Sequence, residues 1–119
     1  MNALARAGAV AAAALLVAAC SEPIPLERAD YVGVWRGTDV FLQITAAGAV
    51  NYERRGGSGN VKIQAPLKRF DGDDFIVGIG PFTTRFKVSR PPHLDGARWR
   101  MVVDGVPLTR AGSTDEFRA

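Results

Sequence analysis

Side chains that build metal centres and nucleophilic catalysts are nearly missing from this chain. Its 119 residues include one cysteine, Cys20, and one histidine, His93. A single cysteine forms no disulfide within its own chain. A lone histidine makes no zinc site, and it makes no catalytic dyad with a cysteine at the far N-terminus. No Ser/His/Asp set, paired-carboxylate arrangement or cofactor loop is legible, so we expect no enzyme, no cofactor and no metal. Long apolar runs are scarce too. The longest, Ala7 to Ala19, has 13 residues, short of the roughly 20 that a membrane-spanning helix requires. Excess charge is small: 15 Lys+Arg against 12 Asp+Glu. Nucleic-acid binding needs cations clustered on one face with motif support, and it is not expected here.

What is present begins at the N-terminus. Arg6 is followed by the Ala-rich apolar run, which ends at Leu16-Val17-Ala18-Ala19-Cys20. A basic start, a short apolar stretch and small residues before a cut describe a secretory signal peptide. The Val-Ala-Ala-Cys ending resembles the lipobox of bacterial lipoproteins. That resemblance implies cleavage before Cys20, diacylation of its thiol and acylation of the new N-terminus. It also accounts for an unpaired cysteine in a secreted chain. One acyl chain anchors only marginally, at about 0.8 kcal/mol per buried methylene, whereas two or three hold firmly. Ser21 departs from the Asp that retains such lipoproteins at the inner membrane, which implies the outer membrane of a two-membrane cell. An uncleaved anchor helix, or a secreted chain without lipid, are the alternatives.

Removing residues 1–19 from 119 leaves 100, enough for one domain. Residues 20–30 read as a lipidated tether, which Pro23 and Pro25 keep extended. Residues 31–110 read as the folded β-domain, and 111–119 as a disordered tail. Two-residue alternation runs through the domain: Val40-Leu42-Ile44, Val50-Tyr52, Val61-Ile63-Ala65, Phe75-Val77-Ile79, Phe82-Thr84-Phe86-Val88 and Trp99-Met101-Val103. Turn residues separate the runs, among them Asp71-Gly72, Pro91-Pro92 and Asp104-Gly105. The pattern predicts an all-β fold: a small antiparallel meander, sandwich or up-and-down barrel of about seven or eight short strands. Nearly every large apolar residue in these sets should be core, with Ile44, Val77, Phe86 and Trp99 buried.

Few residues stand out as sites. Tyr31-Val32-Gly33-Val34-Trp35 resembles the Gly-x-Trp that opens the first strand of lipocalins, where the Trp closes one barrel end. The resemblance covers five residues, and the chain is shorter than a lipocalin. It implies a carrier whose barrel mouth is lined by Trp35, Tyr52, Phe86 and Trp99. Arg85 and Lys87 share one strand face, and Arg98 and Arg100 another. If the two strands pair, these four cations form a face for anionic headgroups or an acidic partner. His93 lies in a turn-rich loop, Arg90 to Gly96. Asp71, Asp73 and Asp74 lack EF-hand spacing and read as a polar turn between Phe70 and Phe75. Gly78 and Gly80 mark a bulge or a close backbone approach, not a phosphate loop. The leading expectation is a lipid-anchored envelope module without chemistry. It would be held at the membrane by acyl chains on Cys20 and bind an envelope protein; the alternative is the small-molecule or lipid carrier.

Replacing Cys20 with Ala should abolish acylation and block processing. Mass spectrometry of the mature N-terminus checks this, and an unmodified Cys20 or a cut elsewhere contradicts it.

Overall fold

A computed structural model describes residues 21–112. The expected signal peptide, Cys20 and the expected tail beyond residue 112 lie outside the described residues. The fold is all-β. The strands are β1 (Gly33–Gly37), β2 (Val40–Ile44), β3 (Ala49–Arg54), β4 (Val61–Asp71), β5 (Asp74–Ile79), β6 (Phe82–Phe86), β7 (Val88–Asp95), β8 (Arg98–Val103) and β9 (Val106–Arg110). All pairs are antiparallel, in the order β6-β5-β4-β3-β2-β1-β9-β8-β7. The nine strands form one sheet curled into a half-barrel. No helix of the described residues is long and apolar enough to cross a membrane.

Alternation decides which side chains enter the curl. Val40, Leu42 and Ile44 point inward from β2, and Val50 and Tyr52 from β3. The Asp104-Gly105 turn takes positive φ at both positions, 48° and 79°. That is the type I′ geometry that keeps two twisted strands paired. Here it joins β8 to β9 through the Val103↔Val106 pair.

The two sheet edges, β6 and β7, are separated in sequence by Lys87 alone. The chain therefore passes from one edge to the other in a single residue, which draws the edges together at that point. Two carboxylates take up the backbone donors there. Val88 N–H donates to Asp74 Oδ1 at 2.7 Å, and Lys87 N–H to Asp104 Oδ1 at 2.9 Å. Asp104 N–H returns a bond to the Lys87 carbonyl at 2.7 Å.

Behind this seam the core is aromatic. Phe86 stacks on Phe75 with centroids 5.0 Å apart and meets the edge of Tyr52 at 4.8 Å. Tyr31 ends a 3-10 helix, Leu26–Tyr31, and turns its ring against Phe70 and Phe75. Its hydroxyl donates to the Asp73 carbonyl at 2.9 Å. Burial, with Asp73 adding to it, raises the Tyr31 pKa and keeps that donor protonated.

Three expectations need correction. First, Arg90–Gly96 is not a loop: Val88–Asp95 is β7. An edge strand needs donors on one side only, and shifts of register on either side of Arg90 absorb Pro91 and Pro92. His93 is half-buried in this strand, with Nδ1 2.8 Å from the Pro91 carbonyl. Second, residues 20–30 do not stay extended throughout: Leu26 begins a 3-10 helix, and the segment before it is docked. Ile24 N–H donates to the Ala46 carbonyl, and Ile24 packs on the core. Third, the apolar alternation overshoots. Ile44, Val77 and Phe86 are buried, but Trp99 is half-buried, and Val61, Ile79 and Phe82 are exposed.

Truncating Phe86 to Ala removes a ring that touches two other aromatics, and it should cost about 3–5 kcal/mol of unfolding free energy. Chemical denaturation followed by circular dichroism measures it. A negligible loss, or a mainly helical spectrum for the parent, contradicts the packing described.

Candidate interaction surface

The residues proposed to line a barrel mouth lie in packed surroundings. Trp35 is 0% exposed, Phe86 1% and Tyr52 6%. A void large enough for a ligand would show as accessible surface on the side chains around it, so no such space adjoins Trp35 or Phe86. The Trp35 indole N–H donates to the Tyr31 carbonyl at 3.0 Å, inside the domain. Trp99 stands at the rim of the core, half-buried. The Arg110 guanidinium lies 4.9 Å from the Trp99 ring centre and 5.8 Å from that of Trp35. Both tryptophans are therefore capped by one cation.

The four cations are not brought together as one paired face. Strand β6 pairs only with β5, and β8 pairs with β7 and β9. Arg85 is held by two carboxylates, Asp71 at 2.7 Å and Asp74 at 3.2 Å. Arg100 pairs with Asp95 at 3.4 Å. Lys87 and Arg98 make no ion pair among the described residues. Arg85 is thus part of the closure: Asp74 holds it with one oxygen and takes the Val88 N–H with the other.

The acidic turn is a hairpin, as its sequence suggests, with Asp71 opposite Asp74. Its partners are the Arg85 guanidinium, the Val88 amide, the Tyr31 hydroxyl and Arg28, 3.9 Å from Asp73. Among the described residues no group of three or more His, Cys, Asp or Glu is placed to hold a metal ion. The clefts are open and mixed in character. One of about 510 Å³ lies along β1, β2 and β3 between Arg36, Asp39, Phe41, Glu53 and Arg55.

The sequence reading missed the β5–β6 hairpin tip. Gly78 pairs with Thr83 and Ile79 with Phe82, around a Gly80-Pro81 turn. A Cβ on Gly78, whose φ is 142°, would collide with the Phe82 carbonyl oxygen, so the tight return requires glycine. The last β4–β5 pair on this side is Leu67↔Val77. Residues 78–82 therefore extend past the ladder, and the inward period of Ile79 and Phe82 has no core to meet. Two apolar residues flanking a Gly-Pro turn were the available hint.

Compared with protein-family models, characterised proteins and solved structures, the chain matches none.

The Arg85 guanidinium holds the Asp71 carboxyl below its ordinary range, by hydrogen bond first and by charge second. A depressed folded-state pKa contributes stability above the unfolded carboxylate value and loses it as pH falls through the folded one. The melting-temperature gap between the parent and Arg85→Gln should therefore narrow on acidification. A gap unchanged between neutral pH and pH 3 contradicts a stabilising Arg85–Asp71 pair. Charge reversal at Arg85 should destabilise the fold, and reversal at the unpaired Arg98 should not.

Proposed function

We propose that this protein is a lipid-anchored lipoprotein of the cell envelope, held by acyl chains on Cys20 and acting as a non-catalytic interaction module. The observation that carries the module reading is the filled interior. The side chains best suited to grip a small apolar ligand spend their surfaces on one another and on Tyr31. Recognition is then left to the outside of the sheet and to its loops, which a rigid β-scaffold presents well. The anchor reading rests on the resemblance of Leu16–Cys20 to a lipobox. Ser21 supports placement at the outer membrane, with the domain facing the periplasm.

The docked N-terminal segment suits such an anchor. Ile24 is bonded to the turn after β2, so the domain stands close to its lipid instead of swinging on a chain. The partner this reading calls for is another envelope protein, met at the membrane surface.

Native mass spectrometry of the full chain, extracted from its envelope in detergent, tests the module against the carrier. The module predicts the mass of the acylated chain with no co-purifying apolar small molecule, and a defined protein adduct after crosslinking in intact envelopes. A stoichiometric apolar ligand, with no protein adduct, overturns it.

A further inference from the structure

Five large apolar side chains are exposed among the described residues, and the two most exposed are Leu26 at 92% and Phe82 at 84%. They lie on two sides of one place. Leu26 belongs to the N-terminal segment. Phe82 faces Ile79, itself 60% exposed, across the β5–β6 tip. Lys68 lies between the two: it lines a groove with Glu22–Pro25, Glu27 and Arg28, and its ammonium donates to the Gly80 carbonyl at 2.8 Å. The chain enters the domain at this end. The Glu22 backbone lies so close to Gly48, whose φ is 95°, that a Cβ there would collide with it. Leu67, one residue before Lys68, donates its N–H to the Gly48 carbonyl.

We infer that the Ile79–Phe82 hairpin tip inserts into the same bilayer that holds the acyl chains, so that the domain is fixed in orientation as well as in place. This rests on the lipid anchor at Cys20. Cys20 is the residue before Ser21, and consecutive Cα atoms are about 3.8 Å apart. Because Ile24 and Glu22 are docked on the β2–β3 turn, little free chain separates the lipid from the Gly48 end of the domain. The bilayer is therefore the apolar phase that this end is bound to meet. The tip has the shape for it: a two-residue turn beyond the ladder, with Ile79, Pro81 and Phe82 exposed and no charged side chain from Phe75 to Thr84. Its neighbours suit an interface. Lys68 is exposed beside it with its ammonium on the Gly80 carbonyl, so the turn carries its own cation into the headgroup layer, where long cationic side chains keep their heads while their stems lie on apolar surface. Glu22 and Glu27 share the groove with Arg28, so insertion is driven by the apolar tip and not by a net positive field.

The test uses the full chain, purified with its native N-terminus and reconstituted into phosphatidylcholine vesicles with or without brominated acyl chains. Phe82→Trp places an indole at the tip. The emission of buried Trp35 reports that the fold is intact, and the parent supplies the background of Trp35 and Trp99. The added emission should shift to the blue, fall with brominated lipid and resist aqueous acrylamide. Ile79→Asp in the same background should reverse all three while the chain stays on the vesicles. An acylated, folded chain whose added indole is quenched by acrylamide and not by brominated lipid overturns the insertion and leaves the anchor standing. An indole shielded from both quenchers means that a second copy or another protein covers the tip, and it also overturns the insertion. A mass showing unacylated Cys20 overturns the anchor, and this inference with it.

Discussion

Between Phe86 and Val88 the chain leaves one edge of the sheet and enters the other, and the rest of the fold is arranged around that step. Two unpaired edges would normally offer free amides and carbonyls to other strands. Here the edges begin one residue apart, and side-chain carboxylates substitute for the missing strand partners. Asp74 and Asp104 reach the two amides at the junction from opposite sides of the curl, one from β5 and one from the β8–β9 turn. Asp74 also holds Arg85, and through Asp71 the whole β4–β5 hairpin leans on the seam. A buried or half-buried amide left without an acceptor costs about 1–3 kcal/mol, so these acidic side chains matter more to the sheet than their exposed position suggests.

The same step limits what the interior can do. Phe86 lies beside Phe75 in the β5–β6 ladder and meets Tyr52 of β3 across the curl, and Val88 on β7 stands opposite Val103. In a domain of this size, inward side chains fill a curled sheet and leave no lumen. On the proposed reading, contacts with other molecules are made at the outer surface. That surface is differentiated. One end holds the docked N-terminal segment, Lys68 and the apolar hairpin tip, while Arg85 beside the seam is bound to Asp71 and Asp74.

Much of the fold was legible in the sequence. Alternation in β2, β3 and β8 assigned the inward residues, and the Asp-Gly pairs placed two hairpins. Other features were not, for identifiable reasons. Pro91 and Pro92 read as a break because a proline lacks a donor, yet an edge strand with a shifted register has no use for that donor. Ile79 and Phe82 carry the inward period, but period alone does not show where a ladder ends. The count of strands depended on whether Lys87 interrupts a strand, which only the sheet order reveals. The docking of residues 22–25 depends on Gly48, whose lack of a side chain reads in sequence as an ordinary turn glycine. Of the sites, the Cys20 reading rests on its sequence neighbours alone, because the residue lies outside the described ones. The cationic face was not settled by sequence, because pairing of β6 with β8 is a long-range property.

Amide hydrogen exchange on the full-length protein is the most direct test, because one experiment reads both the seam and the docked N-terminal segment. The account predicts slow exchange at Lys87 and Val88, comparable to the central β2 and β3 amides, and slow exchange at Ile24. Rapid exchange at Lys87 and Val88 would mean that the edges are not joined and the carboxylates do not hold them. Rapid exchange at Ile24 alone would mean that the N-terminal segment is not held on the turn after β2.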